Sequence, residues 1–125
     1  LDGILSLVPS ARVGFVGLER DEETAEASTY YEKLPEQVTR GLNIIVDPMV
    51  ATGGSTVAAI DKLKSKGAER IIVACIVTCP EGLDAVHKAH PDVKVYAATI
   101  DSGLNEKKYI VPGLGDAGDR LYGTV

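Results

Sequence analysis

Eight consecutive residues, Ile71-Ile72-Val73-Ala74-Cys75-Ile76-Val77-Thr78, run without a charge or a break, and no other stretch limits the fold as much. A strand with one wet face alternates apolar and polar side chains. A continuously apolar strand instead marks a parallel sheet covered on both faces. A shorter run, Leu42 to Val46 with only Asn43 interrupting, reads as a second such strand that ends at the carboxylate of Asp47. Val93 to Ile100 supplies a third, ending at Asp101. Helical spacing lies between them. Val57, Ile60, Leu63 and Ala68, with Ala58 and Ala59 beside them, predict a helix running to about Lys66 and stopped by Gly67. Pro80-Glu81 opens another, where Pro suits the first turn, with Leu83, Val86 and Ala89 inward. Strands alternating with helices predict right-handed βαβ units and an α/β fold.

The first third of the chain is patterned differently. Leu1, Ile4, Leu5 and Val8 have helical spacing halted at Pro9, with neither a start methionine nor a cap. A chain that opens inside a helix is expected to be the C-terminal part of a longer protein. Arg12 to Leu18 reads as a strand in which Gly14 and Gly17 permit close packing or a bulge. It runs into Glu19-Arg20-Asp21-Glu22-Glu23-Thr24. Such a cluster is ordinarily a solvated turn, but a single Arg among acids at a strand's carboxyl end is also where α/β sites gather. Residues 25–35, with Ser28-Thr29-Tyr30-Tyr31 at their centre, predict a projecting β-arm. Tyr30 and Tyr31 either face a partner subunit or the substrate, or pack on the parent sheet.

A length of 125 residues makes one domain, able to bury roughly 65–70% of its unfolded surface. No run approaches the 18 or so apolar residues of a membrane-spanning helix. A net charge of −5 argues against a nucleic-acid surface, so an anionic ligand has to be held by local donors. Cys75 and Cys79 form a lone C-x3-C pair, poor evidence for zinc; Cys75, inside an apolar strand, reads as a core thiol. Free thiols suit a reducing cytoplasm. His87 and His90 have no ligand partner nearby in sequence and read as structural.

Two loops carry the chemistry. Between the second strand and its helix lies Asp47-Pro48-Met49-Val50-Ala51-Thr52-Gly53-Gly54-Ser55-Thr56. Gly53 and Gly54 have no Cβ to keep an anion from backbone N–H groups, while Thr52, Ser55 and Thr56 add hydroxyl donors and the helix start adds partial positive charge. An ordinary helix cap uses the same residue types; Asp47 and Ala51-Thr52 tip the reading towards an anion site. The loop is no Walker loop, lacking Gly-Lys-Ser/Thr after a four-residue spacer, and it lacks the third spaced glycine of a dinucleotide fingerprint. Near the end, after a turn at Asn105-Glu106-Lys107-Lys108, comes Tyr109-Ile110-Val111-Pro112-Gly113-Leu114-Gly115-Asp116-Ala117-Gly118-Asp119-Arg120. It reads as a loop with available backbone groups, suited to a flat heterocycle's edge or simply to a surface excursion.

The run Val46 to Ser55 resembles the phosphoribosyl-pyrophosphate loop of phosphoribosyltransferases, in the form used by uracil phosphoribosyltransferases. The likeness extends through Arg20-Asp21-Glu22-Glu23-Thr24, Pro80-Glu81-Gly82, Ala89-His90-Pro91-Asp92, Ile100 to Asn105 and Pro112 to Asp119, all in one order. This resemblance implies a type I phosphoribosyltransferase fold: a Rossmann-like parallel sheet flanked by helices, with a projecting β-arm and an incomplete N-terminal side. It implies conversion of uracil and phosphoribosyl pyrophosphate to uridine monophosphate and pyrophosphate, usually with Mg²⁺. Arg20 would meet the pyrophosphate, residues 47–55 the phosphoribosyl part, and Thr52 to Ser55 its 5′-phosphate. Asp47 would sit near the ribose hydroxyls. Ile110, Gly115, Asp116 and Ala117 would read uracil, with Asp116 also near the cosubstrate, so that Asp47, Arg20 and Asp116 form the catalytic set. A cytoplasmic homo-oligomer, a GTP effector, and no nucleic-acid or membrane partner belong to the same expectation. Where most of the superfamily has two adjacent acids, Val46 precedes Asp47, which fits the uracil branch. The family's N-terminal portion, with another pyrophosphate-binding arginine segment, is absent from residues 1–125, so this chain alone is expected to be inactive. A regulator of the same fold that binds RNA or a nucleotide, and a sensor that binds phosphoribosyl pyrophosphate without turnover, are the competing classes.

Overall fold

A computed structural model describes residues 1–20 and 27–124. Its elements are helix α1 (Asp2–Leu7), strands β1 (Phe15–Arg20) and β2 (Ala27–Lys33), and a 3-10 turn at Glu36–Thr39. Then come β3 (Leu42–Val50), α2 (Gly54–Ser65), β4 (Arg70–Thr78), α3 (Pro80–Ala89) and β5 (Lys94–Ile100). The chain closes with β6 (Gly103–Leu104), β7 (Ile110–Val111) and α4 (Ala117–Tyr122).

The central sheet is parallel, in the order β3-β4-β5, with α2 and α3 as its crossovers. Because the strand order steps in one direction, two crossovers of one hand place both helices on the same face. That face carries the core. Ile45 of β3, Ile71, Val73 and Cys75 of β4, and Val95 of β5 pack with Ile60 and Leu63 of α2 and Val86 of α3. The other face differs from the two-sided cover that the apolar β4 predicts. Leu42, Ile44 and Val46 of β3, Ile76 of β4, and Tyr96 and Ile100 of β5 are all exposed, and among the described residues nothing lies over them. A continuous apolar run reports strand composition; it does not report which face the crossovers cover.

Three boundaries also move. β3 continues past Asp47 to Val50, so Asp47 is an in-strand residue opposite Cys75. Pro48 fits there because its ladder position is skipped, Asp47 and Met49 pairing while Pro48 does not. The first strand begins at Phe15 and runs through Arg20, pairing antiparallel with β2 apart from the central sheet. Its register shifts at Gly17/Leu18, where Tyr31 and Thr29 are the successive partners. The hairpin is clasped to α2 by Glu32, which lies 3.0 Å from Lys62 and 3.1 Å from Lys66. Within α3 the buried residues are Gly82 and Val86; Ala89, expected inward, is exposed. His90, just after α3, is buried instead, its Nε2 3.0 Å from Asp61 and its Nδ1 3.2 Å from Lys64.

Candidate functional site

The site forms where the strands β3 and β4 end. The chain leaves β3 at Val50, crosses Ala51 and Thr52, and enters α2 through Gly53, which has φ +81°. That left-handed conformation suits glycine, and the space enforces it. A Cβ on Gly53 would lie 2.8 Å from the Gly82 carbonyl and 2.9 Å from Ala85 Cβ. The elbow is held from beneath by β4 and α3. Thr78 Oγ1 donates to the Val50 carbonyl at 2.8 Å, and Cys79 Sγ donates to the Ala51 carbonyl at 3.2 Å. Gly82 lets α3 approach, because a Cβ there would stand 2.5 Å from the Ala51 oxygen.

Sequence alone left two readings of this loop, a self-capped helix or an anion site. The N-cap residue of α2, Gly53, brings no side-chain cap of its own, and the start of the helix lies on the cleft wall through Gly53, Ser55 and Thr56.

Opposite the elbow stands the β6–β7 hairpin and the segment that follows it. Asp101 Oδ2 accepts the Gly113 N–H at 2.9 Å, and Ser102 Oγ donates to the Val111 carbonyl at 2.7 Å. These bonds fix the turn through the cis Val111–Pro112 peptide and the positive φ of Gly113 and Gly115. The predicted loop then gives way to α4, whose N-cap is Asp116, accepting the Asp119 N–H at 2.8 Å. Ile110 is buried at 2% exposure against Val77 and Cys79, so its side chain anchors the hairpin.

Elbow and hairpin enclose one cleft of about 430 Å³. Asp47, Pro48, Met49, Val50, Ala51, Thr52, Gly53 and Ser55 line one side; Ile110, Gly115, Asp116 and Ala117 line the other. The two sequence-predicted sets are thus brought together from positions some 60 residues apart. Gly54 opens α2 beside the cleft without lining it. Arg20 ends β1, and its side chain, like the acidic cluster after it, lies outside the described residues. Thr56, Tyr109 and Gly118 of the two loops also line the cleft, and so do Lys107 and Lys108, which sequence reasoning missed. The available signal was the adjacent Lys107-Lys108 pair, set aside as an ordinary turn.

The electrostatics are uneven. Asp47 is half-buried, and burial raises its carboxyl pKa, opposed by the Met49 N–H that donates to its Oδ1 at 3.0 Å. Cys75 is pushed up first by burial and then by the Asp47 charge opposite; Cys79 is pushed up by burial. Both thiols are therefore held neutral. Among the described residues no three His, Cys, Asp or Glu side chains converge as a metal site, and no helix is long and apolar enough to cross a membrane.

The class so defined is an α/β domain with a glycine-rich strand–loop–helix elbow lining a cleft at the carboxyl edge of a parallel sheet. The chain belongs to the uracil phosphoribosyltransferase family, whose family model matches residues 1–124. It is 60% identical over 124 residues to a uracil phosphoribosyltransferase of Rhizobium leguminosarum and 58% identical over 124 residues to that of Streptococcus mutans, 99% of this chain in each case. A solved structure of an Aquifex aeolicus protein superposes with a TM-score of 0.88 at 40% identity, covering 99% of this chain and 59% of that one. The chain likewise spans 59% of the length of the two curated relatives.

Proposed function

We propose that this chain carries the phosphoribosyl and uracil sites of an enzyme that converts uracil and phosphoribosyl pyrophosphate to uridine monophosphate and pyrophosphate. One observation carries the reading: a helix start entered through a glycine N-cap and a glycine-rich main-chain loop share one cleft of nucleotide size. The elbow takes the 5′-phosphate on N–H groups from Thr52 to Ser55. Asp47 accepts from the ribose hydroxyls. Main chain at Gly115 to Ala117 pairs with the edge of uracil, and Asp116, already pinned as the α4 cap, presents its free oxygen towards the ribose.

Displacement at the anomeric carbon passes through a cationic, oxocarbenium-like state. The carboxylates of Asp47 and Asp116 favour that positive charge, and holding both reactants in one cleft supplies orientation. Arg20 offers a fork of donors to the departing pyrophosphate. Mg²⁺ is satisfied by one or two carboxylates completed by phosphate oxygens and water, so Asp47 and Asp116 fit it, and when bound it neutralises leaving-group charge. No nucleophilic side chain is needed. The same reading carries a cytoplasmic homo-oligomer with GTP as effector, its contact at the 25–35 arm, where Tyr31 is 49% exposed.

Conversion of radiolabelled uracil by the protein at its natural length tests the reading. Labelled uridine monophosphate formed only with phosphoribosyl pyrophosphate is the expected result. Tight binding of phosphoribosyl pyrophosphate with no product would overturn it.

A further inference from the structure

Resting on that reading, we propose that the tip of the β6–β7 hairpin is a cationic clamp, in which Lys107 and Lys108 close over the elbow and bind phosphate oxygens of the ligand. The tip is built by Asn105, whose Oδ1 accepts the N–H groups of Lys107 at 3.0 Å and of Tyr109 at 2.9 Å. This turn places both lysines on the cleft wall that carries Tyr109 and Ile110, across from Thr52 and Ser55. Neither ammonium makes a salt bridge or hydrogen bond among the described residues, although Lys108 is near enough to Glu81 to help hold that carboxyl below its usual range. The carboxylates of Asp47 and Asp116 line the same cleft, so without these two cations the described charges there would all be negative.

The backbone points the same way. Lys108 has φ +65° and is the one non-glycine residue with positive φ among those described. A lysine there costs stability that glycine would not, and such outliers gather at ligand clamps. The hairpin turn holds that conformation, the Lys108 N–H donating to the Asn105 carbonyl at 2.9 Å and the Asn105 N–H to the Tyr109 carbonyl at 2.8 Å. Glycine would meet the same turn without the strain; the lysine is what the clamp adds.

The test is calorimetric titration of the 125-residue chain with uridine monophosphate and, as the neutral control, uridine. Lys108→Gly should raise Tm by relieving the backbone, yet weaken uridine monophosphate binding about two- to fivefold, the range for one exposed charge pair. Uridine affinity should not move, and Lys107→Ala should weaken uridine monophosphate alone in the same way. Stability and affinity moving in opposite directions is a result that a merely structural lysine cannot give. Unchanged uridine monophosphate affinity in Lys108→Gly, an equal loss for uridine, or a wild-type chain that prefers uridine would each overturn the clamp. If the natural-length protein makes no product while Lys108→Gly still loses phosphate-dependent affinity, the activity falls and the clamp stands.

Discussion

Asp47 is half-buried on β3, opposite a thiol and bonded to one backbone N–H. Burial raises its pKa, so the folded chain holds the proton more tightly than the unfolded chain does. The stability this gives is full below the ordinary aspartate value of 3.8 and is lost as pH rises through the raised one. At neutral pH the carboxylate is therefore a cost to the fold. Asp47→Asn keeps an oxygen for Met49 and removes the charge. Its Tm should exceed that of wild type at pH 7, with the gap closing as the pH approaches 3.8. Turnover should fall about a hundredfold or more, as when a group aimed at transition-state charge is lost. Thermal scans across pH beside a rate assay check both halves; a variant that loses stability at pH 7 contradicts the assignment.

At the scale of elements, the elbow separates two glycines that look equivalent in sequence. Gly53 has positive φ and no room for a methyl group, whereas a Cβ on Gly54 would meet nothing closer than Thr52 Oγ1 at 3.9 Å. Gly53→Ala should destabilise the chain by about 1–3 kcal/mol, from backbone strain and displacement of Gly82. Gly54→Val should cost about 1 kcal/mol or less in stability, yet put a branched side chain at the start of α2, where the proposed 5′-phosphate would approach. Chemical denaturation with titration of uridine monophosphate separates them: the first loses stability, the second affinity. If Gly54→Val binds the nucleotide normally, no phosphate sits at that helix start. Much of this element was legible, because Ala58 to Leu63 has helical spacing and Gly67 stops the helix at φ +85°. The continuation of β3 through Pro48 was not. Proline usually ends a strand, and only the unpaired position opposite Ile76 makes room for it. The short α4 was hidden too, since its cap, Asp116, stands among glycines that read as loop.

For the molecule as a whole, the two faces of the sheet predict opposite responses to the same substitution. Val73 and Ile76 lie on one strand, three residues apart, and sequence offers no way to rank them. Val73 is fully buried against α2 and α3, while Ile76 is 57% exposed on the uncovered face. A threonine is β-branched like both, so strand preference is roughly held and burial decides. Val73→Thr buries a hydroxyl in an apolar core and should cost about 1–3 kcal/mol. Ile76→Thr should change stability by about 0.5 kcal/mol or less and reduce binding of a dye specific for apolar surface, because Leu42, Ile44, Val46, Tyr96 and Ile100 share that face. Side-by-side denaturation of the two variants in the 125-residue chain decides it. Equal losses would mean that the face carrying Ile76 is covered after all, and the six exposed apolar side chains would then belong to a core.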